Sequence, residues 1–260
     1  MKVVILCGGQ GTRLREETEY KPKALVMVGD KPILWHIMKL YSHYGYNDFV
    51  LCLGYKGEMI KNYFLNYNAL NHDFTLRLGS GEKELHGNQN GVPQWNITFA
   101  DTGEECETGS RIARIKKYLG SDSEFLLTYG DAVANVNIAE LVKYHREKGK
   151  HATVTAIRPP NPFGVIKLEN GLANTFIEKP QLRDWANGGF LVCNTKIFQH
   201  LSDDGSCVFE ERPLQVLARS GELAVYNHNS FWHCVDTLKH LEGLNALYNR
   251  GERPWEVWRS

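Results

Sequence analysis

The apolar run Val3-Val4-Ile5-Leu6 leads without a break into Cys7-Gly8-Gly9-Gln10-Gly11-Thr12-Arg13-Leu14. Four consecutive apolar residues fit a short strand buried on both faces. The glycines that follow fit a turn that something must approach closely, because a residue without Cβ lets backbone N–H groups converge on an anion. Arg13 adds a permanent charge suited to phosphate oxygens. Lys21-Pro22-Lys23 can return an ammonium to the same place. Strand, glycine loop, arginine and lysine together describe a phosphate site.

Other phosphate motifs are excluded by what the loop lacks. No G-x-x-x-x-G-K-[ST] string follows the strand, so it is not a P-loop. A dinucleotide fingerprint needs a third glycine where this chain has Leu14. Asp30 falls roughly where a ribose-binding acid would, yet Gly29-Asp30-Lys31-Pro32 reads better as a turn before a helix. The glycines alone also fit a plain strand-to-helix turn; Arg13 and Lys23 tip the reading toward function.

The 260 residues, 42% of them hydrophobic, suffice for a substantial core, and one domain is expected over residues 1–260. Thirty basic residues balance thirty acidic ones, so no global field of the kind nucleic-acid binders carry is present. No apolar run approaches the ~20 residues of a membrane helix. The first nine residues lack signal-peptide features. The six cysteines form no C-x-x-C pair, which suits reduced thiols in a cytoplasmic protein.

Apolar runs alternate with helical periods. The pattern predicts an α/β fold, a Rossmann-like three-layer αβα arrangement around a mainly parallel, mixed central sheet. Strands are expected at 49–53, 97–100, 124–128, 152–157, 191–193 and 223–226. Helices are expected at 32–44, 57–64, 109–119, 138–145, 210–220 and 238–250. Residues 67–100 break the rhythm and are expected to form a small peripheral insertion, irregular or built of small hairpins. Asn170-Gly171 marks a hairpin over 164–178.

Leu6-x-Gly8-Gly9-x-Gly11-Thr12-Arg13-Leu14 with Lys21-Pro22-Lys23 resembles the signature of sugar-1-phosphate nucleotidyltransferases, and within them the glucose-1-phosphate cytidylyltransferases. The likeness continues through Gly54-Tyr55-Lys56-Gly57, Thr108-Gly109-x-Arg111, Thr128-Tyr129-Gly130-Asp131, Glu178-Lys179-Pro180, Asn187-Gly188-Gly189-Phe190 and Asp236-Thr237-Leu238. It implies Mg²⁺-dependent transfer of a cytidylyl group from CTP to a sugar 1-phosphate, with Asp131 and Asp236 as metal ligands. It implies a catalytic set of Arg13, Lys23, Asp131 and Lys179. Nucleotide contacts are implied for Leu6, Cys7, Gly8, Gly9, Gly11, Thr12, Arg13, Lys23, Thr108, Arg111 and Thr128. Acceptor contacts are implied for Tyr129, Lys179, Asn187 and Gly188. It further implies a homo-oligomer; the Trp255 and Trp258 tail fits a subunit contact or a segment folded back on its own chain.

Bland readings accompany several of these residues. Asp131 lies seven residues before Ile138, too far for a direct helix cap. Asp236 alone reads as an ordinary acid at a helix start, Arg111 as a solvated helix residue, Lys179 as a solvated lysine ending a hairpin, and Asn187-Gly188-Gly189 as a turn. The chain also departs from the family pattern at Cys7, Ala132, Asn135 and Gln181–Trp185. Ala132 would be strained if its backbone required positive φ. These departures leave open a different phosphorylated acceptor or another pyrimidine triphosphate. A nucleotide-binding paralogue without catalysis is disfavoured by Asp131, Lys179 and Asp236. A D-x-D glycosyltransferase is disfavoured by Asp203-Asp204-Gly205, and a dehydrogenase by Leu14.

Overall fold

A computed structural model describes residues 1–86, 92–161, 163–181 and 184–259. Strand β1 (Val3–Leu6) is followed by a 3-10 turn at Thr12–Leu14, helix α1 (Arg15–Thr18), a second 3-10 turn at Lys23–Leu25 and a small ladder of β2 (Met27–Val28) with β3 (Lys31–Pro32). Next come α2 (Ile33–His43), β4 (Asp48–Leu53), α3 (Gly57–Leu65), α4 (Tyr67–Asn71), the hairpin of β5 (Phe74–Arg77) and β6 (Glu82–Leu85), and β7 (Asn96–Asp101). The middle of the chain contributes α5 (Thr108–Arg114), β8 (Glu124–Tyr129), β9 (Ala132–Ala134), α6 (Ile138–Lys148) and β10 (Ala152–Ile157). The remainder forms the hairpin of β11 (Val165–Glu169) and β12 (Leu172–Ile177), then β13 (Ala186–Asn194), α7 (Arg212–Arg219), β14 (Leu223–Asn227), β15 (Trp232–Cys234) and α8 (Leu238–Asn249).

Seven strands form the central sheet in the order β14-β10-β13-β8-β1-β4-β7. All run parallel except β13, which lies antiparallel between β10 and β8. Successive side chains of a strand point to opposite faces, and the two cores divide accordingly. Val3, Ile5, Phe49, Leu51 and Leu126 pack with α2, α6 and α8 on one face. Val4, Leu6, Val50, Phe125 and Leu127 pack with α5 and α7 on the other. This is the expected three-layer αβα architecture.

The helices follow from their stripes. Ile33, Leu34, Ile37, Met38 and Tyr41 bury one side of α2. Asn137 caps α6 by accepting from the Glu140 N–H at 3.1 Å, and Gly149, at φ 60, ends it. From β1 the chain moves to β4 on one side and later returns to β8 on the other. The crevice between the carboxyl ends of β1 and β8 is therefore a topological switch point, where α/β sheets bind ligands.

Several details differ from the sequence expectation. Pro32 precedes α2 as its cap residue rather than entering its first turn. Helix α5 stops at Arg114, and a separate 3-10 turn covers Lys116–Tyr118. Strand β13 starts five residues before Leu191, so Asn187-Gly188-Gly189 is an irregular stretch of strand and not a free turn. The pair β9–β15 was not expected at all, because its three-residue strands are too short for periodicity to register. The anticipated insertion holds the β5–β6 hairpin and also the short helix α4, which was not expected; residues 87–91 lie outside the described set, as do Leu182 and Arg183 of the segment that departs from the family pattern.

The Trp-rich tail folds back on its own chain. Trp255 is 1% exposed in the core beneath α2 and donates its indole N–H to His36 Nδ1 at 3.3 Å. Burial pushes the His36 imidazole down to about 4, so the pair stays neutral at physiological pH. Trp255→Ala should cost about 3–5 kcal/mol in urea unfolding. A loss below about 1 kcal/mol would show that the tail does not belong to the core.

Candidate active site

A cleft of about 290 Å³ opens at the switch point. Its floor is Leu6, Cys7, Gly8 and Gly9, one wall is Gly11, Thr12, Arg13 and Lys23, and Thr108, Arg111, Tyr129 and Asp131 face them. Most of the residues expected to contact nucleotide therefore share one cavity. Gly130, beside Asp131, also lines it, as do Ala24, Cys106 and Glu107, which carry no chemical signal in the sequence.

The glycine loop is turned so that its oxygens point back into the protein. Gly8 O accepts from the Tyr55 N–H and from Arg111 Nη2, both at 3.1 Å. Gly11 O accepts from the Leu14 N–H at 2.9 Å and from Thr18 Oγ1 at 3.0 Å. The N–H groups of Gly9 through Arg13 meet no protein acceptor among the described residues. Gly11 sits in the left-handed region at φ 65, and a Cβ there would fall 2.7 Å from Thr18 Cγ2. The result is a concave row of free donors, which is how main chain binds anions.

Arg111 holds this shape. Its side chain is buried, and Nη1 donates to Leu53 O, Thr102 Oγ1 and Gly103 O at 3.1, 2.8 and 2.7 Å. Nη2 donates to Gly8 O and Glu104 O at 3.1 and 3.0 Å. Both terminal nitrogens are thus committed to main-chain and hydroxyl oxygens. Arg111 is not a solvated helix residue; it lines the cleft and clamps the loop from beneath.

Four charged side chains converge at the cleft. Lys23 Nζ lies 2.7 Å from Asp131 Oδ2 and 2.6 Å from Asp236 Oδ1. Arg13 Nη1 lies 3.2 Å from Asp236 Oδ2. Burial alone would lower the Lys23 pKa, but the Asp131 and Asp236 carboxylates outweigh it and hold the ammonium above its ordinary value. Burial likewise opposes Asp236 ionisation, while Lys23 and then Arg13 hold its carboxyl below the usual range.

The unexpected β9–β15 ladder makes this meeting possible. Ala132 pairs with Cys234, and the Val235 N–H donates to Asp131 O at 2.8 Å, which sets the two acids side by side. Asp236 is not the cap of α8; Thr237 is, accepting from the His240 N–H at 3.3 Å. Ala132 lies in β9 without positive φ, so the strain considered from the sequence does not arise.

A second network joins the cleft to β13. Tyr129 donates its hydroxyl to Glu210 Oε1, Thr108 Oγ1 donates to Glu210 Oε2 at 2.7 Å, and Asn187 Nδ2 donates to the Tyr129 hydroxyl at 3.4 Å. Glu210 escaped the sequence reading because an acid before a helix has no distinguishing motif. Gly189, at φ 84, packs against the Tyr129 ring, where a Cβ would fall 2.7 Å from Cδ2. Gly188 O accepts from Trp232 Nε1 at 2.8 Å.

Five of the expected residues do not line the cavity: Asp236, Asn187, Gly188, Thr128 and Lys179. Thr128 is buried in β8, and its hydroxyl donates to Tyr129 O at 3.4 Å. Lys179 follows β12 at φ 45, is half exposed and pairs loosely with Glu178 at 3.6 Å. Among the described residues no cluster of three or more histidine, cysteine or acidic side chains is poised for a metal. The Asp131–Asp236 pair offers two hard oxygens already focused on one cation, a donor set that suits an ion filling its remaining positions with water and phosphate. No helix among the described residues is long and apolar enough to cross a membrane.

The nucleotidyl transferase family model matches residues 2–249, and the chain belongs to that family. It is a nucleotidyltransferase. It is 45% identical over 260 residues to the glucose-1-phosphate cytidylyltransferase of Salmonella typhi, covering 99% of this chain and 100% of that one. It is 49% identical over 258 residues to the Bacillus subtilis protein named "Probable glucose-1-phosphate cytidylyltransferase", with 99% and 100% covered. Among solved structures, HddC from Yersinia pseudotuberculosis superposes with a TM-score of 0.68 at 20% identity, covering 95% of this chain and 99% of that one, a likeness of fold.

Two outcomes test this geometry. Arg111→Lys keeps the charge but loses the planar fork, so it should weaken CTP binding by about tenfold or more, read by calorimetry on folded protein. Unchanged affinity would contradict the clamp. Asp236 has a depressed native pKa, so its contribution is present above the unfolded value and is lost as pH falls through the native one. Asp236→Asn should therefore lower stability by about 1–2 kcal/mol at neutral pH. The deficit should shrink as pH falls below about 4; a constant deficit across that range in urea unfolding would contradict the assignment.

Proposed function

We propose that the chain transfers a cytidylyl group from CTP to glucose 1-phosphate, giving CDP-glucose and pyrophosphate. The carrying observation is the convergence, at one switch point, of a row of free N–H donors with Arg13, Lys23 and a pair of acids focused on one cation. The full-length identity to proteins named for this activity selects the substrates.

In this reading the Gly8–Thr12 main chain, Arg13 and Lys23 bind the triphosphate. Thr108 lies at its flank, and main-chain groups around Leu6–Gly8 read the pyrimidine. A phosphate oxygen of the sugar phosphate attacks the α-phosphorus; that P–O bond forms as the bond to the β-phosphate bridging oxygen breaks. The nucleophile is already anionic, so no general base is required, and alignment with charge neutralisation carries the rate. This matches a site built of cations and N–H donors. Asp131 and Asp236 would hold Mg²⁺, which supplies charge neutralisation at the reacting phosphates. Tyr129, fixed by Glu210, and Asn187 form the wall on which the sugar rests, and Lys179 approaches the sugar phosphate from the β11–β12 hairpin.

Pyrophosphate release measured with Mg²⁺, each of the four common nucleoside triphosphates and a panel of sugar 1-phosphates tests this directly. CTP with glucose 1-phosphate should turn over fastest; a stronger pairing, or none, would replace the assignment. Asp131→Asn should cut kcat at least about a thousandfold while leaving thermal unfolding nearly unchanged. Near-normal turnover would refute the metal role.

A further inference from the structure

We infer that Lys23 is the resident cation of the Asp131–Asp236 pair, and that a divalent cation takes this position only when nucleotide phosphates draw the ammonium away. The inference rests on the nucleotidyl-transfer reading, which brings a triphosphate within reach of Lys23.

The ammonium sits between the two acids at 2.7 and 2.6 Å, with the lysine 15% exposed and the acids 30% and 20%. Two partly buried carboxylates this close repel one another unless a cation stands between them. Magnesium binds oxygens at about 2.0–2.1 Å. A metal joining the same two oxygens would occupy the space that Nζ fills, so ammonium and metal exclude each other. Arg13 does not fill this place, because it reaches Asp236 through Oδ2, the oxygen that Lys23 leaves free.

The lysine is also built to move without its backbone. Its 3-10 turn is pinned by Ala24 and Val26, at 2% and 0% exposure, while the side chain is a flexible stem carrying a compact charge. The stem starts beside the glycine loop: Lys23 Cβ lies 3.4 Å from the position a Gly11 Cβ would take. An ammonium leaving the acids therefore finds the row of free N–H donors, and any phosphate held there, within its own reach. Nucleotide and metal then strengthen each other's binding, and the reciprocity is thermodynamic. The free protein keeps its acids paired and takes up divalent cation weakly.

Titration with Mn²⁺, followed by the electron paramagnetic resonance of the free ion, tests this without turnover. Lys23→Met keeps the apolar stem, and Lys23→Gln keeps a polar tip as an independent second variant. Without nucleotide, both should bind Mn²⁺ about tenfold or more tighter than the unaltered protein, and adding Asp131→Asn should remove the gain. Equal affinities in all three lysine backgrounds, or a gain that survives Asp131→Asn, would overturn the exchange. With CTP present, Mn²⁺ uptake in excess of a protein-free Mn²⁺–CTP control should be lost in Asp131→Asn alone. Uptake that persists there would overturn the metal assignment itself, a failure distinct from that of the exchange.

Discussion

One buried guanidinium shapes the nucleotide loop. Arg111 gathers oxygens from the Gly8 loop, the end of β4 and the Thr102–Glu104 segment, three pieces of chain far apart in sequence. Burial opposes its charge and lowers its pKa from the ordinary value, so the surrounding carbonyls must compensate. A Cβ on Gly8 or Gly54 would fall 2.1 or 2.5 Å from Nη1, which explains why both positions lack a side chain. With its oxygens held inward, the loop presents its N–H groups outward. A neutral stretch of main chain thus presents the kind of donor row that suits an anion.

Across the cleft the opposite problem is solved. Asp131 leaves β8 and Asp236 follows β15, and the β9–β15 ladder forces them together. Their repulsion is offset by Lys23 and Arg13, four charges in near balance. That balance lets the two acids stand side by side at the mouth of the cleft. Glu210 then ties the nucleotide wall at Thr108 to Tyr129, which in turn touches Asn187 on β13. The two halves of the cleft share a polar backbone that is independent of any bound ligand.

Much of this was legible in the sequence because the signals were local. β1 and the glycine loop announce themselves within a dozen residues, β10 is a run of small and β-branched residues, and Asn170-Gly171 sets the β11–β12 turn as expected. What escaped had non-local causes. The three-residue strands β9 and β15 exist because they pair with each other across about a hundred residues of chain, and no period betrays them. The clamp role of Arg111 was not legible, because burial and acceptors are properties of the assembled fold. Glu210 was silent for the same reason. Thr128, Lys179, Asn187, Gly188 and Asp236, singled out by resemblance, lie outside the cavity lining, and the resemblance alone gave no means of separating them from those that line it.

The central claim is that bare main chain grips the polyanion. Amide resonances of Gly8 through Arg13, followed by ¹⁵N NMR while CTP and Mg²⁺ are added, address it most directly. These amides should show the largest downfield shifts and saturate together at the calorimetric affinity. Saturable CTP binding that leaves them unmoved would contradict the account.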